Sequence, residues 1–302
     1  VAPVIPQNAG YLQAMQKITS SKLNAAADHE LIHQLKSEIL EKHSSFKSLT
    51  INIENEIAII PNIRMATAFL ALALLNRGES AYIPDPGLPY FRTAVCMAEG
   101  NPVKYSLMES NDYILNISSF SSRPKKTKLL FINYPHNPTG AAVDYYFYRD
   151  LLKSIRSENL LVVADCAYVH PGDGDGSSLL QVKSAQKRAL ELHSFSTSFG
   201  IPGIGFTIGH RDAIAALNVI LKAIGFCPDE YSVQMAIAGI ENAQEIFADK
   251  MGQLERKRSI LAEGLRQLGW RIRGGKLTPF IWAKSPTRST SVALARRLFI
   301  KA

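Results

Sequence analysis

Two short stretches carry the side chains most able to do chemistry, residues 131–140 (FINYPHNPTG) and residues 162–168 (VVADCAY). Each begins as an apolar run typical of a β-strand and ends in polar residues. Ligands of an open α/β sheet bind outside the carboxyl ends of its strands, so Asn137, Asp165 and Tyr168 are predicted to meet at one place. An amide, an acid and a phenol at one place suit a heteroaromatic cofactor with a ring nitrogen and a ring oxygen.

Alternating strand-like and helix-like segments predict the scaffold that holds these residues. Apolar runs predict strands at residues 51–60, 81–83, 129–133, 160–164, 189–195, 204–209, 270–273 and 280–283. Helical spacing predicts helices at residues 27–43, 64–76, 92–99, 144–155, 212–224, 230–268 and 291–300, with a break of the sixth near Gly239 or Ala243. Strands that alternate with helices indicate an α/β protein.

Composition limits the function classes. The chain has 302 residues and a formal net charge of +8, enough for one large domain or a large and a small one. It has no apolar run of membrane-spanning length and no charged-then-apolar leader, so no membrane partner is expected. Cys96, Cys166 and Cys227 are scattered, which favours a cytoplasmic protein without a disulfide framework or a zinc site. The basic residues are spread along the chain, so a surface that attracts anionic substrates is favoured over nucleic-acid binding.

The polar motifs resemble those of a known enzyme family. Asn-Pro-Thr-Gly at residues 137–140, followed by Asp-x-Ala-Tyr at residues 165–168, is similar to the pattern of the class I/II aminotransferases of fold type I, which use pyridoxal phosphate. The segments DPGLPY, LELHSFS and GLRQLGWRI are most similar to those of the LL-diaminopimelate aminotransferase branch. The resemblance extends over roughly residues 50–300.

The resemblance implies a fold and a division into domains. It implies a three-layer α/β/α large domain with a mostly parallel sheet, together with a smaller, incomplete α/β domain. The implied parts are residues 1–48, a helical segment of the small domain; residues 49–228, the cofactor-binding domain; and residues 229–302, a linking helix and the truncated small domain. Relatives are usually homodimers, so a homodimer is expected.

The resemblance also implies roles for individual residues. Asp165 matches the carboxylate that keeps the cofactor ring nitrogen protonated, and Asn137 and Tyr168 match the pair at the ring oxygen. The family lysine, which bonds the cofactor and then moves the proton, falls at Thr197. The spacing from Thr197 to the following Pro-Gly matches the family spacing, which indicates replacement of the lysine. The flanking Ser194 and Ser196 are expected beside the cofactor.

Further departures from the family pattern surround the same pocket. The phosphate-binding helix of the family starts with glycine and small polar residues, where this chain has Ile63 and Arg64. Arg64 either contacts the phosphate or is an exposed first-turn residue. Leu88 replaces the aromatic residue that stacks on the ring, and Tyr90 is expected to pack in the core. Around residues 203–206 two residues are missing, among them the arginine that binds phosphate.

Three functions are compatible with these patterns. The first is an aminotransferase that moves an amino group between an amino acid and a 2-oxo acid, its activity doubtful because of Thr197. The second is a noncatalytic relative that binds a small molecule or serves as a dimer partner. The third, a basic nucleic-acid-binding module, has no motif to support it.

Overall fold

A seven-stranded sheet forms the centre of the molecule, in a computed structural model that describes residues 8–118, 126–155, 159–173, 177–275 and 277–301. The spatial order of its strands is β1-β7-β6-β5-β4-β2-β3, and only β7 runs antiparallel to the strands beside it. An antiparallel pair, β8 and β9, forms a separate small sheet. The strands are β1 (Ile57–Ile60), β2 (Ser80–Asp85), β3 (Asn101–Ser106), β4 (Thr127–Asn133), β5 (Leu161–Asp165), β6 (Ala189–Ser194), β7 (Gly205–Gly209), β8 (Arg271–Arg273) and β9 (Trp282–Lys284).

Helices cover both faces of the large sheet, which confirms the predicted three-layer α/β/α arrangement with a mostly parallel sheet. The helices are α1 (Ala9–Ser20), α2 (His29–Lys42), α3 (Ile63–Leu74), α4 (Pro89–Met97), α5 (Tyr145–Ser154), α6 (Phe195–Phe199), α7 (Arg211–Ala223), α8 (Glu230–Glu241), α9 (Ala243–Gln267) and α10 (Ser291–Lys301). None of the described helices is both long enough and apolar enough to cross a membrane.

Alternation along the strands divides the core into two clusters. In β4, Leu130 and Ile132 point to one face of the sheet, where α2, α5 and α8 pack, whereas Leu129 and Phe131 point to the other, where α3, α4 and α7 pack. Successive side chains of a strand point to opposite faces, so a strand buried on both sides is apolar throughout. The sequences of the central strands are therefore unbroken apolar runs.

Side-chain caps fix where several helices begin. Asp28, Asn62 and Asp144 each accept a hydrogen bond from the backbone N–H three residues later, so α2, α3 and α5 start directly after them. The predicted break in the long C-terminal helix is confirmed at Asn242, between α8 and α9.

The predicted strand at residues 51–60 is wrong in its first half, because only β1 at Ile57–Ile60 is extended and paired. The side chain of Asn52 accepts from the backbone N–H of Glu54, and its carbonyl accepts from Asn55 and Glu56. Asparagine stabilises such turns by bonding to the nearby backbone, which competes with strand pairing. The turn therefore overrides the apolar alternation of this stretch.

Gly205 lies where no side chain fits, and this predicts a stability defect. A Cβ atom at this position of β7 would approach the backbone oxygen of His193 to 2.3 Å. We expect Gly205→Ala to lower the free energy of unfolding by about 1–3 kcal/mol, because neighbouring strands must separate. Urea unfolding followed by circular dichroism measures the change.

Gly264 in α9 provides the matched control, since nothing lies within 4 Å of a Cβ atom added there. Gly264→Ala is expected to raise the free energy of unfolding by roughly 0.5–1 kcal/mol through helix propensity. Equal stability of Gly205→Ala and the unchanged protein would contradict the packing argument.

Candidate active site

The site begins with Asp165, the last residue of β5. It pairs in register with Asn133 at the end of β4, so the two strands deliver polar groups side by side. Two residues before Asp165 in the strand, Val163 belongs to the core cluster on the α3 and α4 face. Because side chains two residues apart in a strand point to the same face, the Asp165 side chain lies on the same face as Val163, where it contacts Tyr90 of α4.

Asn133 connects the two predicted motifs. Its side-chain amide donates to the backbone oxygen of Asp165 over 3.0 Å, and its side-chain oxygen accepts from the backbone N–H of Asn137 over 2.8 Å. Asn133 is fully buried, so it holds the loop that follows β4 against the end of β5. The sequence indicates Asn133 only through its place as a polar residue at the end of an apolar strand.

The structure brings Asn137 and Tyr168 together beside Asp165. The Asn137 side-chain amide donates to the Tyr168 hydroxyl over 3.1 Å. Burial raises the pKa of Tyr168 to about 12, the hydrogen bond from Asn137 opposes the increase, and the nearby Asp165 carboxylate adds to it. The edge of the Phe280 ring contacts the Tyr168 ring. The predicted trio therefore gathers at one place, while the roles of its members toward a cofactor stay predictions.

The Asp165 carboxylate is buried and hydrogen-bonded on both oxygens. One accepts from the backbone N–H of Ala167 over 2.9 Å, and the other accepts from the Tyr90 hydroxyl. Desolvation raises the pKa of Asp165, against the opposing effect of the two hydrogen bonds and of His193. A carboxylate has about four lone-pair positions, so these two donors leave it able to accept a third.

Tyr90 packs against the edge of the core cluster on the α3 and α4 face, as expected, and it also contacts the site. Its ring is half-buried, its hydroxyl contacts Asp165, and the Arg64 guanidinium lies 5.9 Å from its ring centre. The neighbouring Phe91 is the residue that packs in the core, stacked on Phe131. Tyr90 lies on the first turn of α4, which starts at Pro89, earlier than expected.

Residues 194–197 form the turn between β6 and the short helix α6. The Ser194 hydroxyl oxygen accepts from the backbone N–H of Thr197 over 3.3 Å, and the Thr197 hydroxyl donates back to the Ser194 carbonyl over 3.2 Å. Ser196 is half-buried and lines a cavity with Thr197. The hydroxyl at position 197 is thus engaged with the local backbone, and position 197 carries no amine.

The three residues predicted at the phosphate and ring faces have different surroundings. Ile63 is buried in the core cluster on the α3 face, so its only polar groups are those of the backbone. Arg64 is exposed on the first turn of α3. Leu88 is the half-buried residue before α4 and packs against the same core cluster. Their expected contacts with a cofactor stay predictions.

A cavity of about 370 Å³ reaches one member of the trio, Tyr168. Among its lining residues are Tyr168, Thr197, Phe280 and Lys250 of α9. The Lys250 amine donates to the Thr197 carbonyl, and desolvation lowers its pKa to about 8. The sequence pattern does not single out Lys250, although one signal exists. Lys250 is three residues after Phe247 and four before Leu254, which places a charged residue on the apolar stripe of α9.

A second buried polar cluster lies directly after β5 and on β6, where the side chains of Cys166, Glu191 and His193 are close enough to hold a metal ion. Glu191 already accepts from the Ser178 hydroxyl, the Leu179 backbone N–H and His193, at 2.7–3.0 Å. A fully paired carboxylate needs no ion to compensate its burial, so this cluster is a structural network.

Comparison with known proteins identifies relatives of the whole chain. Residues 9–300 match the family described as aminotransferase class I and II. The LL-diaminopimelate aminotransferase of Halothermothrix orenii is 29% identical over 296 residues, which cover 95% of this chain and 75% of that protein. The LL-diaminopimelate aminotransferase of Gloeobacter violaceus is 33% identical over 220 residues, covering 71% of this chain and 56% of that protein.

Solved structures share the same fold at lower identity. The apo structure of BacF from Bacillus subtilis superimposes with a TM-score of 0.85 at 24% identity, covering 99% of this chain and 81% of that chain. An aminotransferase from Staphylococcus aureus gives a TM-score of 0.86 at 21% identity, covering 98% and 81%.

His170, which follows the trio and lines the cavity, predicts a pH dependence of stability. Its Nε2 lies 3.2 Å from the Ser198 carbonyl and its Nδ1 accepts from the Gly172 N–H over 3.1 Å, an arrangement that suits the neutral ring. Burial lowers the pKa of His170 to about 3, with a smaller contribution from Lys250. As the pH falls, His170 therefore binds a proton near pH 6.5 in the unfolded chain, whereas in the folded chain its ring stays neutral to a much lower pH.

We expect the free energy of unfolding to be highest above pH 6.5 and to fall as the pH decreases toward 3. His170 contributes about 1.4 kcal/mol per pH unit to this slope. His170→Gln keeps an amide donor and acceptor without titrating, so the slope should become shallower by that amount. His29→Gln, at an exposed position of α2, is the matched control variant. Urea unfolding at a series of pH values measures both, and an unchanged slope for His170→Gln would refute the argument.

Proposed function

The chain belongs to the class I and II aminotransferase family, and we propose that it binds pyridoxal phosphate at the Asn137–Asp165–Tyr168 trio without a lysine at position 197. Enzymes of this family depend on pyridoxal phosphate and transfer amino groups between amino acids and 2-oxo acids. One observation supports the proposal: Asn137, Asp165 and Tyr168 are all in place, whereas position 197 holds a threonine, which has no amine.

The residues present fit the edges of the cofactor ring. Asp165 is a buried carboxylate with free acceptor capacity, the partner that a protonated ring nitrogen requires. Asn137 and Tyr168 present an amide and a phenol 3.1 Å apart, which suits the ring oxygen. Arg64, at the first turn of α3, and Arg258, which lines the adjoining cavity, are the two candidate cations for a phosphate. When bound, the cofactor supplies an electron sink for a carbanion on the substrate.

The residues of this chain perform three tasks around that ring. Asp165 holds a proton at the ring nitrogen, because its carboxylate is fixed by Ala167 and Tyr90. Tyr168 and Asn137 orient the ring through its oxygen. Burial of this end of β5 excludes water from the Asp165 carboxylate, which strengthens its electrostatic effect on the ring.

The missing step is the proton transfer that a lysine at position 197 provides. A threonine hydroxyl cannot bond the cofactor, and this hydroxyl already donates to the Ser194 carbonyl. A positioned general base contributes about 10²–10⁴-fold to a rate. We therefore propose that lysine-dependent transamination at position 197 is lost, with amino acids and 2-oxo acids remaining the ligand class. A noncatalytic binding protein is the second candidate, which Thr197 itself favours.

The expected homodimer also stays a proposal. Light scattering of the purified protein tests it directly. The substrate within the amino-acid class is best sought among the amino donors of the LL-diaminopimelate aminotransferases, to which the chain is similar.

Cofactor affinity tests the role of the trio. We expect Asp165→Asn to weaken pyridoxal phosphate binding by about tenfold or more, since loss of a charged hydrogen bond costs roughly 1.5–3 kcal/mol. Asn137→Ala should weaken it by a smaller factor. Equilibrium dialysis with absorbance detection measures both. Asp150→Asn, at an exposed position of α5, is the matched control and should bind as the unchanged protein does. Equal affinity for all four proteins would refute the site.

Restoring an amine tests the assignment of position 197. Thr197→Lys should bond pyridoxal phosphate at residue 197, detected by borohydride reduction and peptide mapping, and should raise the transamination rate at least about tenfold over Thr197→Met. Methionine has a similar length but no amine. A Thr197→Lys protein that binds the cofactor without any label at residue 197 would show that this position does not face it.

A further inference from the structure

Lys250 places an amine in the cavity beside the trio. It lies on α9, and its amine donates to the backbone carbonyl of Thr197, the residue at the position of the family lysine. Tyr168 and Lys250 line the same cavity. A ligand that fills this space can therefore contact the Tyr168 hydroxyl and approach the Lys250 amine.

The surroundings of Lys250 favour a nucleophilic amine. Among the described residues no carboxylate forms an ion pair with it, and the titratable groups that line the cavity with it are Tyr168, His170, Lys257 and Arg258. Lys250 as a whole is exposed to solvent, and desolvation of its amine, which donates to the Thr197 carbonyl, lowers its pKa to about 8, so part of the amine is uncharged at mildly alkaline pH.

The cavity also suits an anionic ligand. Lys257 and Arg258 line it together with Lys250, and no acidic residue of the described chain does. Arg258 donates through one terminal nitrogen to the Thr278 carbonyl, whereas its buried Nε has no hydrogen-bond partner within the described part of the chain. A buried guanidinium N–H without a partner indicates a missing acceptor, and phosphate or carboxylate oxygens are the acceptors it prefers.

We propose that Lys250 is the amine through which this chain bonds an aldehyde that carries an anionic group, with Arg258 binding that group. The proposal rests on the proposed function, because it identifies the residue that engages the cofactor's aldehyde in place of a lysine at position 197. The lone pair of the uncharged amine attacks the aldehyde carbon and forms the carbon–nitrogen bond. The carbonyl oxygen leaves as water with the two amine protons, and a carbon–nitrogen double bond remains. No oxidant or reductant is required.

Reductive labelling of the full chain tests this proposal. The protein is mixed with less than one equivalent of pyridoxal phosphate at pH 8, reduced with borohydride, digested and analysed by mass spectrometry. Borohydride delivers a hydride to the carbon of the double bond and water supplies the proton on nitrogen, which fixes the label. We expect the label on Lys250 to exceed that on any other lysine by about tenfold or more, because a lysine of ordinary pKa is almost wholly charged at this pH.

Two variants provide the matched comparison. Lys250→Met should remove the label from its peptide, whereas Lys257→Met, seven residues further along the same helix and in the same cavity, should leave the label on Lys250. Circular dichroism and the melting temperature check that both variants fold. If Lys250→Met fails to fold, the distribution of label in the unchanged protein still decides the question. Label spread evenly over the lysines would overturn the proposal.

A comparison of two aldehydes tests whether Arg258 binds the anionic group. Pyridoxal, which has the aldehyde but no phosphate, should label Lys250 at least about tenfold less than pyridoxal phosphate does, and Arg258→Met should remove this difference. Equal labelling by both aldehydes in the unchanged protein would overturn the role of Arg258.

Dialysis without borohydride separates this proposal from the proposed function. Binding of pyridoxal phosphate that depends on Asp165, without label on Lys250, would refute the Lys250 proposal and leave the trio site standing. Label on Lys250 without dependence of binding on Asp165 would refute the trio and keep Lys250. Absence of both binding and label would refute both.

Discussion

Burial of one carboxylate at the end of a parallel strand is the constraint on which the rest of the site depends. Asp165 is almost wholly inaccessible to solvent, and a buried carboxylate without partners would be strongly destabilising. Its partners come from three different segments of the chain: Ala167 directly after the strand, Tyr90 at the start of α4, and Asn133 at the end of β4, which holds the Asp165 backbone. Each of these segments must therefore be placed correctly before the acid can be buried.

The same requirement explains how the second motif reaches the first. Asn133 binds the backbone of both Asp165 and Asn137, so the pairing of β4 with β5 also sets the position of the loop at residues 137–140. Tyr168, three residues after Asp165, then lies within hydrogen-bond distance of Asn137. The trio is a consequence of strand register, because a slip of one residue would turn Asp165 toward the opposite face of the sheet.

Sequence patterns predict the scaffold better than the site. The apolar runs and the alternation in β4 and β5 fix which faces are buried, and cap residues such as Asp144 fix helix starts, because both effects are local. Tyr90 and Lys250 cannot be assigned this way. Tyr90 contacts a residue 75 positions away, and Lys250 contacts one 53 positions away, so only the folded positions of α4 and α9 bring them to the site. The strand prediction around Asn52 is wrong for the opposite reason, because hydrogen bonds formed within four residues of Asn52 outweigh the apolar alternation of the sequence.

The losses around the site do not affect all of its parts equally. The residues proposed to bind a ring by its edges, Asp165, Asn137 and Tyr168, are connected to one another by hydrogen bonds through Asn133 and to the sheet through β4 and β5. Thr197 belongs to a different segment, the turn after β6, and its hydroxyl is satisfied locally by Ser194. A lysine there can be replaced without disturbing Asp165, because no hydrogen bond joins the Thr197 side chain to the trio within the described part of the chain. The trio and position 197 are thus structurally separate parts of this fold, and the Lys250 amine reaches the cavity from α9 without a hydrogen bond to the strands that carry the trio in the described part of the chain.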